Sequence, residues 1–382
     1  MKKVLLVQPS LQPPGGSKGV AVWMIEAVKQ QHQVSVLTWT PVDFDPINRH
    51  YGTSLSALDV TLHEVHPIVR HLIDLVPGPT GLLKTSFLLR LCKKMKYRYD
   101  VIITANNEAD FGRKGIQYIH FPRADRFRPA TSLRWYPLFP VLISAYYAIC
   151  RRISGFSFER MAQNATLVNS DWTATKVTER YGIHATTLYP PVAGPFPEVP
   201  WEERQNGFIC IGRIAQEKEL ERVIEIVAAV RSRGLDVHLR ITGSQENHRY
   251  YRRILQRAQQ QGSWIRIEEN LSREQLIRLV SMHRYGIHGM AEEHFGIGVA
   301  EMVCGGCIVF VPRGGGQVEI VGGDERLLYG SVEEAATKIV RAMSDPELQQ
   351  SLRHHLTTRR EHFSTTRFTT RIRELVRNFA PS

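Results

Sequence analysis

Arg213 and Lys218 stand close together in the run Ile211-Gly212-Arg213-Ile214-Ala215-Gln216-Glu217-Lys218. A planar guanidinium fork beside an ammonium suits a diphosphate, whose anionic oxygens accept from both. A solvated glycine–arginine turn gives the same pattern, so this run alone decides nothing. A second group is Glu293 and Glu301, which enclose His294-Phe295-Gly296-Ile297. Carboxylates accept hydrogen bonds from paired hydroxyls, as sugars and ribose present them. Gly296 lets backbone approach a ligand closely. The helix start behind it offers free N–H groups and a positive dipole end, a place for a phosphate. Two spaced glutamates occur on many amphipathic helices; placement after a strand and around Phe-Gly gives these two weight. His294 lies inside the run and is a modest candidate, whereas His283 and His288 read as structural or surface groups.

Those residues need strands and helices to hold them. Residues 4–7 form a short apolar run that ends in Gln8-Pro9 and then Pro13-Pro14-Gly15-Gly16, as a buried parallel strand followed by a glycine turn does. Apolar spacing predicts a helix over 20–31 and a strand over 34–37, which opens a doubly wound α/β pattern. Further strands are expected at 60–63, 101–104, 116–120 and 166–169. A proline-rich, polar stretch at 189–206 marks the domain boundary. A second alternation follows, with strands at 208–211, 237–242, 265–268, 285–288 and 308–311. Helices are expected at 220–233, 250–261, 273–282, 300–304, 332–344 and 346–357. Ligands in such sheets sit outside the carboxyl ends of strands. Both candidate runs follow strands.

The 382 residues suit two domains, and 43% hydrophobic content lets each build a core. A net charge of +12 makes nucleic acid, anionic lipid and phosphorylated small molecules the classes to weigh. No zinc finger, RNP-like strand or basic zipper region is present, so nucleic acid is not an expected partner. Residues 68–99 and 123–152 mix apolar or aromatic side chains with many Lys and Arg, which fits an anionic membrane surface or an ordinary solvated helix face. No signal peptide and no transmembrane run of 18 apolar residues is expected. Five scattered cysteines suit a reducing compartment, in which the sequons at Asn164 and Asn270 mean little. Cys304-Gly305-Gly306-Cys307 lacks the further ligands of a zinc site. Asp43-Phe44-Asp45 reads as a turn or exposed loop. Gly314-Gly315-Gly316 lacks the Gly-Lys-Ser/Thr of a phosphate loop.

The chain resembles glycosyltransferase family 4 over nearly its whole length. The Glu293–Glu301 run, with Met302-Val303-Cys304-Gly305-Gly306 after it, is similar to that family's signature. Arg313-Gly314-Gly315-Gly316-Gln317-Val318-Glu319 is similar to its Gly-Gly-x-x-Glu loop, and Gly212-Arg213 with Glu217-Lys218 to its diphosphate clamp. Gly15-Gly16, Tyr118-Ile119-His120-Phe121-Pro122, Val168-Asn169-Ser170-Asp171-Trp172-Thr173 and Tyr189-Pro190-Pro191-Val192 are similar to motifs of its first half and linker. The wording is closest to the lipid-linked-oligosaccharide α-1,2-mannosyltransferase subgroup. Gly15-Gly16-Ser17 is shorter than the glycine run there, and that subgroup's N-terminal anchor is not expected here.

The resemblance implies a GT-B fold of two Rossmann-like domains facing each other across a cleft. An acceptor-binding domain would span 1–190, a nucleotide-sugar-binding domain 207–360, and a helix at 366–379 would cross back to the first domain. It implies retaining transfer of a hexose, mannose from GDP-mannose first, to a glycan, glycolipid or lipid-linked acceptor. No metal and no cofactor beyond the nucleotide sugar would be needed. Arg213 and Lys218 would neutralise the departing diphosphate, and backbone at Phe295, Gly296 and Ile297 would add donors. Glu301 would hold the ribose and Glu293 the donor sugar, with His294 beside them. His120 would contact the donor sugar, and Gly16 would belong to the glycine loop on the donor. Alanine at Lys218 or Glu301 would then stop transfer and spare the fold. The protein would be cytoplasmic, with a peripheral place on the inner face of a membrane. A sugar-nucleotide epimerase and a non-catalytic nucleotide-sugar-binding protein are the alternatives.

Overall fold

Lys3–Val7, the strand β1, shows why this chain makes parallel sheets buried on both faces. Its side chains alternate: Val4 and Leu6 enter one apolar cluster, Leu5 and Val7 another. The first cluster takes Val20, Met24 and Val28 from the helix Gly16–Val28, and the second takes Leu88, Leu89 and Cys92 from the helix Gly81–Met95. In this computed structural model, residues 1–76, 80–122 and 140–380 are described, except the side chains of 140–143. The chain forms two compact units, Met1–Pro191 with Phe368–Ser382, and Val192–Arg367.

The first unit has seven strands: β1, β2 (Gln33–Thr38), β3 (Val60–Glu64), β4 (Val101–Thr104), β5 (Ile116–Ile119), β6 (Ala165–Val168) and β7 (Thr186–Thr187). They pair in parallel in the order β3-β2-β1-β4-β5-β6-β7. The second unit has six: β8 (Gln205–Ile211), β9 (His238–Thr242), β10 (Ile265–Glu268), β11 (His283–Ile287), β12 (Ile308–Pro312) and β13 (Leu328–Tyr329). Their parallel order is β10-β9-β8-β11-β12-β13. In each sheet the winding direction reverses once, between β1 and β4 and between β8 and β11. A crevice outside the carboxyl ends opens at such a switch point.

The last helix, Thr365–Asn378, lies from Phe368 onward in the first unit. Phe368, Ile372 and Val376 recur every four residues on one face, and all three are buried in the cluster that holds Val4 and Val20. Lys2 Nζ donates to the carbonyls of Val376 at 3.0 Å, Arg377 at 2.8 Å and Phe379 at 2.8 Å. A cation there satisfies carbonyls that no helical N–H reaches and meets the negative end of the helix dipole.

Several expectations change. The helix expected at 20–31 starts at Gly16, so the glycine pair is its N-terminus rather than a free loop. Asp43 is a helix N-cap: its Oδ1 accepts from Asp45 N–H at 3.1 Å, opening the helix Phe44–Tyr51. The 68–99 stretch holds the helix Gly81–Met95, whose apolar face is core, with Lys93 paired to buried Asp110 at 2.7 Å. It also holds the helix Pro67–Asp74, which buries no residue. Residues 77–79 and 123–139 lie outside the described residues, so the basic stretch at 123–152 is seen from Pro140–Ser154 only. Among the described residues no helix is long and apolar enough to cross a membrane. Cys304 closes the helix Ile297–Cys304 and Cys307 precedes β12; burial pushes both thiols up to about 12.

Truncating Phe368 to alanine is expected to destabilise the first unit by about 3–5 kcal/mol. Hydrogen exchange should show lost protection in β1 and in Gly16–Val28, with β8 and β11 unchanged.

Candidate functional site

β8 and β11 are neighbours, and the loops leaving their carboxyl ends carry both candidate runs. After β8 the chain turns through Gly212-Arg213, makes a short 3-10 turn at Gln216–Lys218, and enters the helix Leu220–Arg231 through Glu219. Glu219 sits at φ 48°, ψ 48°, a left-handed conformation that is uncommon for a side chain with a Cβ. After β11 comes His288 and then Gly289. A Cβ at 289 would stand 2.7 Å from the Lys218 carbonyl oxygen and 2.6 Å from that of Glu219. Only glycine lets the two loops meet this closely.

Where they meet, Lys218 Nζ pairs with Glu293 Oε2. Each side chain is only 13% exposed. His288 Nε2 lies 3.3 Å from the same carboxylate oxygen. Burial alone would raise the Glu293 carboxyl, but the Lys218 charge and then His288 outweigh it and hold the group well below the ordinary carboxylate range. The loop after β12 braces this turn from behind. Gly316 N–H donates to the Glu293 carbonyl at 2.7 Å, and Gln317 Nε2 donates to Met290 O at 2.8 Å and Gly314 O at 3.0 Å. Gly315, at φ 70°, lies against Glu293 backbone where a Cβ has no room. That is the physical content of the Gly-Gly-x-x-Glu wording.

The helix Ile297–Cys304 begins at Gly296, whose φ of 99° and ψ of 63° favour glycine. A Cβ at Gly298 would meet the Ile211 carbonyl at 2.5 Å, so the helix start rests directly on the end of β8. Its first N–H groups have no intrahelical acceptors. Phe295 is buried and packs edge-on against Phe363 at 5.9 Å between ring centroids. Its backbone, not its ring, faces this problem. Lys218, Glu293 and the Phe295-Gly296-Ile297 backbone therefore form one group, with half-buried His294 beside it.

Two expected members are engaged elsewhere. Arg213, about half exposed, pairs with Glu217 at 3.0 Å and with Glu246 rather than with the Lys218–Glu293 pair. Glu301 Oε1 pairs with Arg273, whose other Nη donates to the Ala193 carbonyl. Both side chains are nearly buried. In the first unit, Gly16 has open space around its Cβ position, and Gly15 beside it is clamped by Tyr51: Gly15 N–H donates to the Tyr51 oxygen at 2.7 Å and the Tyr51 hydroxyl donates back at 2.9 Å. His120 follows β5. Its N–H donates to Asn107 Oδ1 at 2.8 Å, its Nε2 lies 2.9 Å from Ala105 O, and its carbonyl accepts from Asn169 at 3.0 Å.

Arg273 and Asn107 hold expected site residues and were not singled out by the sequence; His288 was read as structural, and Gln317 stood only as an unassigned position of the Gly-Gly-x-x-Glu wording. His288 had a signal, since it stands at the carboxyl end of β11. Arg273 had none, because its partner is distant in the chain.

Residues 196–358 match the family model described as "Glycosyl transferases group 1". Two curated relatives are named GDP-Man:Man(3)GlcNAc(2)-PP-Dol alpha-1,2-mannosyltransferase. The Xenopus laevis protein is 23% identical over 284 residues, 66% of this chain and 58% of its own length. That of Dictyostelium discoideum is 24% identical over 269 residues, 64% of this chain and 50% of its own. The chain thus spans about half the length of the curated relatives it matches. Among solved structures, Anabaena Alr3699/HepE in complex with UDP and glucose superposes with a TM-score of 0.68 at 15% identity, covering 99% of this chain and 100% of that one. WaaG, a glycosyltransferase involved in lipopolysaccharide biosynthesis, gives 0.70 at 14% identity, covering 98% and 100%. The fold is GT-B, and the mannosyltransferase wording of the motifs agrees with the names of the curated relatives.

The buried pair alters what a lysine replacement does. Lys218→Ala leaves a nearly buried carboxylate without its cation, at about 3–5 kcal/mol. Adding Glu293→Gln should restore most of that loss in urea denaturation. The folded carboxyl sits below its unfolded value of about 4.3, so the pair's stabilisation is complete above that pH and fades as pH falls through the folded value. Glu293→Gln should remove that acid-side loss.

Proposed function

We propose that this protein is a retaining glycosyltransferase that moves a hexose, mannose from GDP-mannose first, to a glycan, glycolipid or lipid-linked acceptor. The observation that carries the reading is the Lys218–Glu293 pair, set against the helix start at Gly296 where the second sheet reverses. In such a transfer the bond from the sugar's anomeric carbon to the diphosphate oxygen breaks. A bond to the acceptor oxygen forms on the same face, and the departing phosphate oxygen takes the acceptor's proton. Negative charge gathers on the diphosphate. Lys218 has three N–H donors; Glu293 accepts one and Met290 Sδ, at 3.6 Å, a second, so one remains for a phosphate oxygen. The first N–H groups of Ile297–Cys304 add donors already aimed, which is how preorganised sites favour a transition state. Arg213 would add a second cation by exchanging Glu217 and Glu246 for the diphosphate.

Glu293 is the proposed holder of the donor sugar, Glu301 of the ribose, and His294, His120 and Gly16 are proposed further donor contacts. With cations and helix-end donors on the diphosphate, the reaction would run without a metal ion. The names of the curated relatives favour GDP-mannose. The Anabaena neighbour, solved with UDP and glucose, keeps a UDP-sugar as the second reading.

A peripheral place on the cytoplasmic face of a membrane is proposed as well, through residues 68–99 and 123–152. Ile68, Leu72 and Leu75 are each at least 60% exposed on or beside Pro67–Asp74. Arg151 and Arg152 lie in the last turn of Pro140–Ser154. Apolar side chains beside cations suit an anionic lipid surface.

In a thermal-shift panel of GDP, UDP and ADP sugars, the true donor at 100 times its dissociation constant should stabilise by about 2.7 kcal/mol. Transfer should persist in EDTA. In Lys218→Ala with Glu293→Gln it should fall by roughly 100- to 1000-fold. Normal turnover in that folded variant would remove the site assignment, and a shift with UDP-glucose alone would replace the donor. Liposomes with anionic lipid should sediment the protein at low salt and release it at high salt; no binding at low salt rejects the membrane surface.

A further inference from the structure

The second unit holds another built feature, at the opposite ends of the same strands. A cavity of about 590 Å³ opens where β8, β11 and β12 begin. Arg204, Arg353 and Arg360 line it. Arg204 immediately precedes β8 and is only 8% exposed. Its Nε donates to Val199 O at 3.1 Å, and its Nη1 to Gly305 O at 2.8 Å and His283 O at 3.4 Å. Arg360 Nε donates to Val303 O at 3.2 Å. Arg353 stacks its guanidinium over the Trp201 ring, 4.6 Å from the centroid.

The three charges are not neutralised. Other arginines around the second sheet carry a carboxylate, as Arg213, Arg240, Arg273 and Arg326 do. Among the described residues none of Arg204, Arg353 and Arg360 has one within ion-pair distance. The acidic residue in the wall, Glu202, is exposed and joins none of them. Two of the guanidiniums also crowd each other. The position a Cβ of Gly306 would take lies 2.7 Å from Arg204 Nη2 and 2.9 Å from Arg360 Nη2. Burial, with the Arg360 and Arg353 charges acting the same way, holds the Arg204 guanidinium below its ordinary value. Like charges brought together in a cavity attract a multivalent anion.

We propose that this cavity binds a phosphate-bearing small molecule. Guanidinium forks fit phosphate oxygens in pairs, and Arg204 Nη2 and the Arg360 Nη groups have no protein acceptor among the described residues. The volume lies within the range of sites that enclose small ligands. A single carboxylate carries too little charge for three guanidiniums; a phosphate ester or diphosphate matches them. This site is separate from the loops after β8 and β11 and does not depend on the proposed transfer.

Calorimetric titration with inorganic pyrophosphate tests it. Lys218→Ala with Glu293→Gln disables the loops at the carboxyl ends, and one pyrophosphate should still bind. In that background Arg353→Gln with Arg360→Gln should weaken binding by roughly tenfold or more. Gln350→Glu, an exposed change that keeps all three arginines and adds a carboxylate to the wall, should do the same in the wild-type chain, removing one of two sites. No binding in the first variant, or binding that neither wall change weakens, overturns the proposal.

Discussion

The charge pair between Lys218 and Glu293 constrains everything around it. Two groups this far from water must stay together, because either alone would be a nearly buried, uncompensated charge. Their loops leave different strands, so the pair ties the loop after β8 to the loop after β11. It also explains the glycines. Gly289 lets one loop lie on the other, Gly315 lets the loop after β12 reach Glu293 from behind, and Gly298 lets a helix settle on β8. Each gives up a side chain so that backbone can approach backbone.

Much of this was legible in the sequence, for physical reasons. Strand segments such as residues 4–7 and 208–211 are buried on both faces and announce themselves as unbroken apolar runs. In the last helix, Phe368, Ile372 and Val376 supply an apolar stripe that the sequence carries at four-residue spacing. The site was legible where it consists of consecutive residues, as at Glu293 through Ile297. It was not legible where it consists of partners. That Lys218 meets Glu293, that Arg273 meets Glu301, and that Arg213 turns to Glu217 and Glu246 are facts about folded loops. Asp43-Phe44-Asp45 resembled a turn because an N-cap and a turn use the same residue chemistry: a short carboxylate accepting from a backbone N–H two residues on.

The helix Ile297–Cys304 touches both charged features of the second unit. Its first turn opens at Gly296 beside Glu293, and its last carbonyls, with Gly305 just beyond, accept from Arg360 and Arg204. Eight residues make a rod of about 12 Å. Cations at its carboxyl end complement the same dipole whose positive end faces Glu293. An anion drawing those guanidiniums toward itself would act on one end of a rigid element whose other end is the proposed phosphate seat.

The return of Thr365–Asn378 to the first unit has a consequence for how the molecule is made. Val192–Arg367 is one continuous stretch and can close its core as soon as it emerges from the ribosome. The first unit is synthesised earlier yet stays incomplete, because Phe368, Ile372 and Val376 arrive last. At about 5–20 residues per second, its apolar groove waits on the order of ten seconds. During that interval the nascent chain presents a ready binding surface for a chaperone or for another nascent copy, so the N-terminal half is where misassembly during translation would begin.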